Sequence, residues 1–270
     1  MKFTYYTIIG KDTNMLRGHI QNIKEYAGFD KLTCDKEFVV IVYKNSRIPE
    51  DKTKELIDIC TANNITTCIY EEKTNVFIDN LYACWNLGYE VSSEGYVFRG
   101  GSDQIFSKDS FVELYNVAER IRTKLPNEKV ILQANTIECA TRIRQIGANS
   151  RHFVLDLGYT YESFDYHGFE RFCKAINANV KERVVDINLS LEYWKHPTPL
   201  STTLGMVDRT DGCSWLMTKD DWRKHGPLPV LENGITGDVV IHDRMQTANY
   251  KNFIVRDCVT YHFVQGESKG

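Results

Sequence analysis

The sequence has no excess of either charge: 33 Lys and Arg stand against 36 Asp and Glu, a formal net charge of −3. A protein built to grip nucleic acid needs a basic face, so a nucleic-acid partner is not expected, although a local basic pocket stays open. Long apolar runs are missing as well. Stretches such as Phe38–Val42 fall far short of the ~20 residues that a membrane helix needs, so no integral membrane segment is expected. The stretch Met1 to Lys11 lacks a small-residue cleavage site and reads as a first strand rather than a signal peptide. Close cysteine spacing is absent too. The eight cysteines (34, 60, 68, 84, 139, 173, 213 and 258) form no CxxC pair, so neither a zinc site nor a redox motif is signalled. They read as small buried hydrophobes in a reducing, cytoplasmic setting. The sequence also contains no GxGxxG and no GxxxxGK[ST], which excludes the common dinucleotide and P-loop sites.

What is present is a chain of 270 residues, 12% aromatic, long enough to bury a large core. Its first hundred residues alternate between two periods. Strands are expected at Phe3–Ile9, Phe38–Tyr43, Thr66–Tyr70 and Tyr96–Phe98, with helices over Met15–Tyr26, Lys52–Asn63 and Asn75–Val91 between them. This βαβαβαβ order predicts an α/β fold with a mostly parallel central sheet flanked by helices, and ligands bind such sheets at the carboxyl ends of the strands. The second half is less regular. A helix is expected over Asp109–Lys124, a strand over Val130–Ala134 and a helix over Ala140–His152. Further on come a strand at Trp215–Met217, a short helix at Lys219–His225 and a closing strand over Ile254–Val264. No repeat or linker divides the chain. A single domain is expected, with halves 1–110 and 111–270 and an insertion at about 130–205 in the second.

One segment invites chemistry. Strand Tyr96–Phe98 runs into Arg99-Gly100-Gly101-Ser102-Asp103-Gln104 and then towards a helix. Two glycines allow a bulky ligand close to the backbone. A carboxylate at a strand's carboxyl end suits a divalent cation, and equally suits a turn or a helix cap. The order of elements around this segment resembles the GT-A glycosyltransferases, in particular the family-2-like inverting enzymes. The resemblance is carried by Thr4–Gly10, Val39–Ser46, Asn75–Asn80 and Gly101–Phe106, the last standing where that family has its metal-binding DxD motif. Gly101 replaces the first acid and Asp103 keeps the last. Further along, Trp215–Leu228 resembles the family's acceptor-side segment. Asp238 and Arg244 stand where the family has a general base and an arginine, with Gly237 in place of a Glu. His262 resembles a metal-ligating histidine, and Gly266–Lys269 a loop that closes on donor phosphates.

The resemblance implies transfer of a sugar from a nucleoside-diphosphate sugar, UDP-glucose for example, to a carbohydrate acceptor, with inversion. Asp103 and His262 would hold Mn²⁺ or Mg²⁺, and Asp238 would be the base, with Asp243 the fallback. The donor would meet Gly10, Asp12, Tyr43, Asn45, Asn75, Asn80, Gly101, Ser102 and Lys269. Trp215, Asp243 and Arg244 would serve the acceptor side or the scaffold. The aromatic run Tyr159–His167 suits a sugar platform or plain packing. Two other classes stay open: a sugar nucleotidyltransferase, which Gly10-Lys11-Asp12-Thr13 matches poorly, and a non-catalytic binding protein derived from the fold, suggested by Gly101.

Overall fold

The computed structural model describes residues 1–138, 153–154, 164–179, 214–229, 231–232 and 235–263. The expected helix over Ala140–His152, most of the 130–205 insertion, Tyr159–Ser163 and Lys269 lie outside the described residues.

One mixed sheet organises the chain. Its strands are β1 (Phe3–Ile9), β2 (Lys36–Lys44), β3 (Thr66–Glu71), β4 (Tyr96–Arg99), β5 (Gln104–Phe106), β6 (Val130–Glu138), β7 (Phe153–Val154), β8 (Trp215–Thr218) and β11 (Lys251–His262), while β9 (Leu231–Glu232) and β10 (Ile235–Thr236) form a separate pair. The order is β3-β2-β1-β4-β8-β6-β11-β5, with β7 beside β6. Strands β1 to β4 are parallel; β8 runs antiparallel between β4 and β6, and β5 runs antiparallel to β11. The carboxyl ends of β1, β2 and β4 therefore share one edge of the sheet, as the alternating pattern requires.

Period-2 alternation with both faces apolar puts the central strands between two helix layers. Phe38, Val40 and Val42 face the layer of α1 (Thr13–Gln21), α2 (Glu50–Ala62) and α4 (Ser110–Lys124), while Val39, Ile41 and Tyr43 face that of α3 (Phe77–Val91), α6 (Lys219–His225) and α7 (Gly237–Thr247). A third cluster packs α5 (Tyr166–Asn179), through Phe169 and Cys173, on Ile105, Val259 and Tyr261. Beneath the β4–β5 turn, Phe98, Phe106 and Phe111 meet edge to face at 5.3–5.7 Å between centroids. Each such pair adds about 0.5–1.5 kcal/mol beyond its buried area, which makes a stiff base for that turn.

Local signals explain the helix limits. Asp12 caps α1 by accepting from Met15 N at 2.8 Å, and Thr218 caps α6 by accepting from Asp221 N at 3.1 Å. The expected continuation of α1 to Tyr26 is a separate π-helical turn, Asn22–Tyr26. Three elements differ from the sequence expectation. Residues 104–106 form a strand before α4 begins, and the helices Tyr166–Asn179 and Gly237–Thr247, the second of which carries Asp238, were not among the expected elements. Cys34, Cys60, Cys68, Cys84, Cys173 and Cys258 are free thiols, and burial pushes those of Cys60 and Cys84 up to about 12. No helix among the described residues is long and apolar enough to cross a membrane.

Candidate active site

The turn from β4 to β5 is shaped by close approaches at two glycines. A Cβ on Gly100 would lie 2.5 Å from Tyr5 Oη, and one on Gly101 would lie 2.6 Å from Asp103 Oδ1. Gly100 N continues the β1 pairing by donating to Tyr6 O at 3.1 Å. The turn then closes on itself: Gly101 N donates to Gln104 Oε1 at 2.8 Å and Gln104 N to Gly101 O at 3.2 Å. Phe263 N donates to Asp103 O at 2.9 Å, so the end of β11 is fastened to the turn. Because His262 pairs with Gln104 in the antiparallel register, its ring arrives beside the acid. Asp103 Oδ1 lies 3.1 Å from His262 Nε2, with side chains 14% and 3% exposed. Two residues far apart in sequence thus meet at the carboxyl end of β4.

This pair fits a divalent cation. The two groups stand in direct contact at 3.1 Å, and the same carboxylate and imidazole would serve as two ligands to such an ion. Carboxylate with imidazole suits Mn²⁺. Among the described residues no group of three or more His, Cys, Asp or Glu side chains converges. Two protein ligands suffice for an ion that takes its remaining ligands from phosphate oxygens and water.

Beneath the turn lies a buried network. Gln104 O can only accept, so His19 Nδ1, 3.0 Å away, carries the proton, and His19 Nε2 accepts from Tyr5 Oη at 2.8 Å. Burial holds the His19 imidazole down at about 4 and pushes the Tyr5 phenol far above its usual range, so both groups are neutral.

The other expected residues are spread along the same edge of the sheet. Gly10 follows β1, and Asp12 is occupied as the α1 cap. Tyr43 stacks on Tyr70 and donates to Glu72 Oε1 at 2.6 Å. Asn45 Oδ1 accepts from Arg47 N at 2.9 Å in a turn, Asn75 is exposed between β3 and α3, and Ser102 is buried within the glycine turn. Asn80 is fully buried. Its Oδ1 accepts from Tyr70 Oη and Lys73 N, both at 3.1 Å, and its Nδ2 donates to Thr74 O at 2.8 Å and Val76 O at 3.1 Å. It ties down the loop that carries Asn75 from within.

Asp238 stands in the first turn of α7, where the helix dipole favours an anion, and accepts from Tyr82 Oη at 2.9 Å. Tyr82 packs against Trp85 at 5.2 Å, and Trp85 covers one face of the Arg99 guanidinium at 4.0 Å. The Trp215 ring also lies 4.3 Å from the guanidinium, so this fully buried cation has two indoles against it. Asp243 lies 3.5 Å from His242 Nδ1, and Arg244 Nη1 donates to His225 O at 3.1 Å. Sequence reasoning did not single out His19, Asn22, Tyr82 or Arg99. The available signal was a His and an Asn three apart beside the apolar residues of the expected helix Met15–Tyr26, an arrangement that demands partners once buried.

Two clefts of about 400 Å³ each lie elsewhere, at the amino ends of the parallel strands. One is lined by Tyr96, Val130 and Thr218, the other by Lys36, Phe38 and Thr66, and neither by Asp103, His262 or Asp238.

No protein-family model and no curated protein matches the chain. Solved structures do. A mannosyltransferase of Pyrobaculum calidifontis, in complex with GDP-Man and Mn²⁺, superposes with a TM-score of 0.56 at 12% identity over 97% of this chain and 57% of its own. GalNAc-T7 with UDP, GalNAc and Mn²⁺ gives 0.57 at 9% identity, over 98% of this chain and 44% of its own. Residues 1–349 of TarS from S. aureus give 0.50 at 12% identity, over 97% and 60%. The chain spans about half the length of these structures. Its strand order, and the similarity over nearly its whole length, give it the fold of the GT-A-type glycosyltransferases.

Proposed function

We propose that the chain is a metal-dependent glycosyltransferase that moves a sugar, with inversion, from a nucleoside-diphosphate donor to a hydroxyl of a carbohydrate acceptor. The observation that carries this reading is the pairing of Asp103 with His262 at 3.1 Å on the carboxyl edge of the sheet. Solved proteins of the same fold hold a GDP-sugar with Mn²⁺ and UDP with Mn²⁺. A UDP-sugar such as UDP-glucose is the proposed donor, on the strength of the sequence resemblance.

In this reaction the bond from the anomeric carbon to the diphosphate breaks as the acceptor oxygen attacks the opposite face, and the acceptor proton goes to a base. Asp103 and His262 would hold Mn²⁺ or Mg²⁺, which offsets the charge growing on the leaving diphosphate, an effect worth several kcal/mol. Asp238 takes the acceptor proton, a role typically worth about 10²–10⁴-fold in rate. Its hydrogen bond from Tyr82 fixes the carboxylate and leaves lone pairs for that proton. Asp243 is the fallback base. Gly10, Asp12, Tyr43, Asn45, Asn75, Gly101, Ser102 and Lys269 are assigned to the donor side, with Asn80 acting through the loop it ties down. Trp215 and Arg244 are assigned to the acceptor side or its scaffold.

The test separates binding from transfer. Asp103→Ala is expected to abolish metal-dependent donor binding while the protein stays folded. Asp238→Asn is expected to keep donor binding and to lose at least a hundredfold in transfer. An unchanged rate in folded Asp238→Asn would sink the base assignment. Gly101, at the place of an acid, favours a second reading as a non-catalytic binding protein. Metal-dependent donor binding without turnover on any acceptor would select it.

A further inference from the structure

We infer that His19 and Asn22 are positioning residues that set the register of β5 and thereby the meeting of Asp103 with His262. The inference rests on the metal reading of that pair.

Strand β5 is three residues long and ends the order of the sheet. On one side it pairs with β11 through Thr260–Phe106, Tyr261–Ile105 and His262–Gln104. The backbone groups of Gln104 and Phe106 that face away from β11 find no further strand among the described residues, yet each has a partner. Gln104 N donates to Gly101 O, and Gln104 O accepts from His19 Nδ1 at 3.0 Å. Phe106 N donates to Asn22 Oδ1 and Phe106 O accepts from Asn22 Nδ2, both at 2.9 Å. Two side chains of one helical segment therefore do for this edge what a neighbouring strand would do.

This arrangement specifies position as well as satisfying polar groups. An amide side chain that grips both N–H and C=O of a single residue cannot be moved to the next residue without losing both bonds. A one-residue slip of β5 against β11 would shift Asp103 by about 3.3 Å and turn its side chain to the opposite face. With three ladder pairs to resist a slip, the two hydrogen bonds from Asn22 hold the register of β5 from its other side. The π-helical turn begins at Asn22, and such turns are one way a helix re-aims a side chain. Fully buried, His19 and Asn22 act through β5, not on a ligand.

The experiment measures Mn²⁺ affinity by electron paramagnetic resonance titration in the presence of UDP, with folding followed by circular dichroism. Asn22→Leu removes both bonds. Asn22→Asp keeps acceptance from Phe106 N but loses the donor, and serves if the first variant fails to fold. Ile20→Val, in the same helix but with no hydrogen bond to β5, is the control. The expected result is a loss of roughly 10–100-fold in Mn²⁺ affinity in the Asn22 variants, typical of groups that orient metal ligands, and less than twofold in Ile20→Val. Folded Asn22 variants that bind Mn²⁺ like the parent, or an equal loss in Ile20→Val, would overturn the inference while leaving the metal reading intact. A parent protein that binds no Mn²⁺ with UDP present would overturn both.

Discussion

Replacing Asn80 by alanine should cost more than any surface change on this chain, because one side chain ends four useful hydrogen bonds at once. It accepts from Tyr70 Oη and Lys73 N and donates to Thr74 O and Val76 O, all within 2.8–3.1 Å. At about 1 kcal/mol net per bond, with water re-satisfying part of the exposed loop, the expected destabilisation is about 2–4 kcal/mol. For a chain of this length that corresponds to a melting temperature roughly 4–7 °C lower. The effect should also be local. Hydrogen exchange should speed up across residues 72–76 well before it does in β1 or β2, since those bonds hold only that loop. Thermal melting by circular dichroism and exchange by mass spectrometry measure the two parts. A melting temperature within 1 °C of the parent, with unchanged exchange at 72–76, would refute the reasoning.

Other outcomes follow from the same contacts. Gly101→Ala puts a methyl group 2.6 Å from Asp103 Oδ1, so the carboxylate must leave His262; metal-dependent nucleotide affinity should fall at least tenfold with little change in melting temperature. The imidazole of His19 titrates at about 4 in the fold against about 6.5 when exposed, because burial penalises its charged form. Unfolded chains therefore take up a proton between those values that the folded chain refuses. The stabilisation is fully present above pH 6.5 and falls by on the order of 3 kcal/mol as pH drops to 4. Urea midpoints across that range should show this acid limb, and His19→Gln should flatten it.

Much of the scaffold was legible because period and caps agreed. The β-branched and aromatic run Phe3–Ile9 forms β1 with the limits read from sequence, and Thr218 with its cap bond starts α6 where expected. The misses have physical causes. Strand β5 is three residues long and leads with a glutamine, too short to show a period. Helix α7 buries His242 along with Val240, Ile241 and Met245, and it opens at Gly237, which reads as a turn. The meeting of Asp103 with His262 depends on a register between β5 and β11 that no local pattern encodes; only the family resemblance suggested it. Asn80, assigned to the donor side from the resemblance, is buried beneath the loop that carries Asn75, a placement that depends on the fold of residues 70–80 as a whole. His19 and Asn22 were hidden for the opposite reason: polar residues on an apolar helix face carry meaning only once their backbone partners are located.

The central claim is that this chain binds a nucleoside diphosphate through a metal held by Asp103 and His262. Calorimetric titration of UDP, GDP and dTDP into the folded protein, with and without Mn²⁺, tests it most directly. Tight binding of one nucleotide, UDP on this account, that requires Mn²⁺ and is lost in Asp103→Ala is the predicted result. Absence of binding by all three nucleotides in the presence of the metal would contradict it.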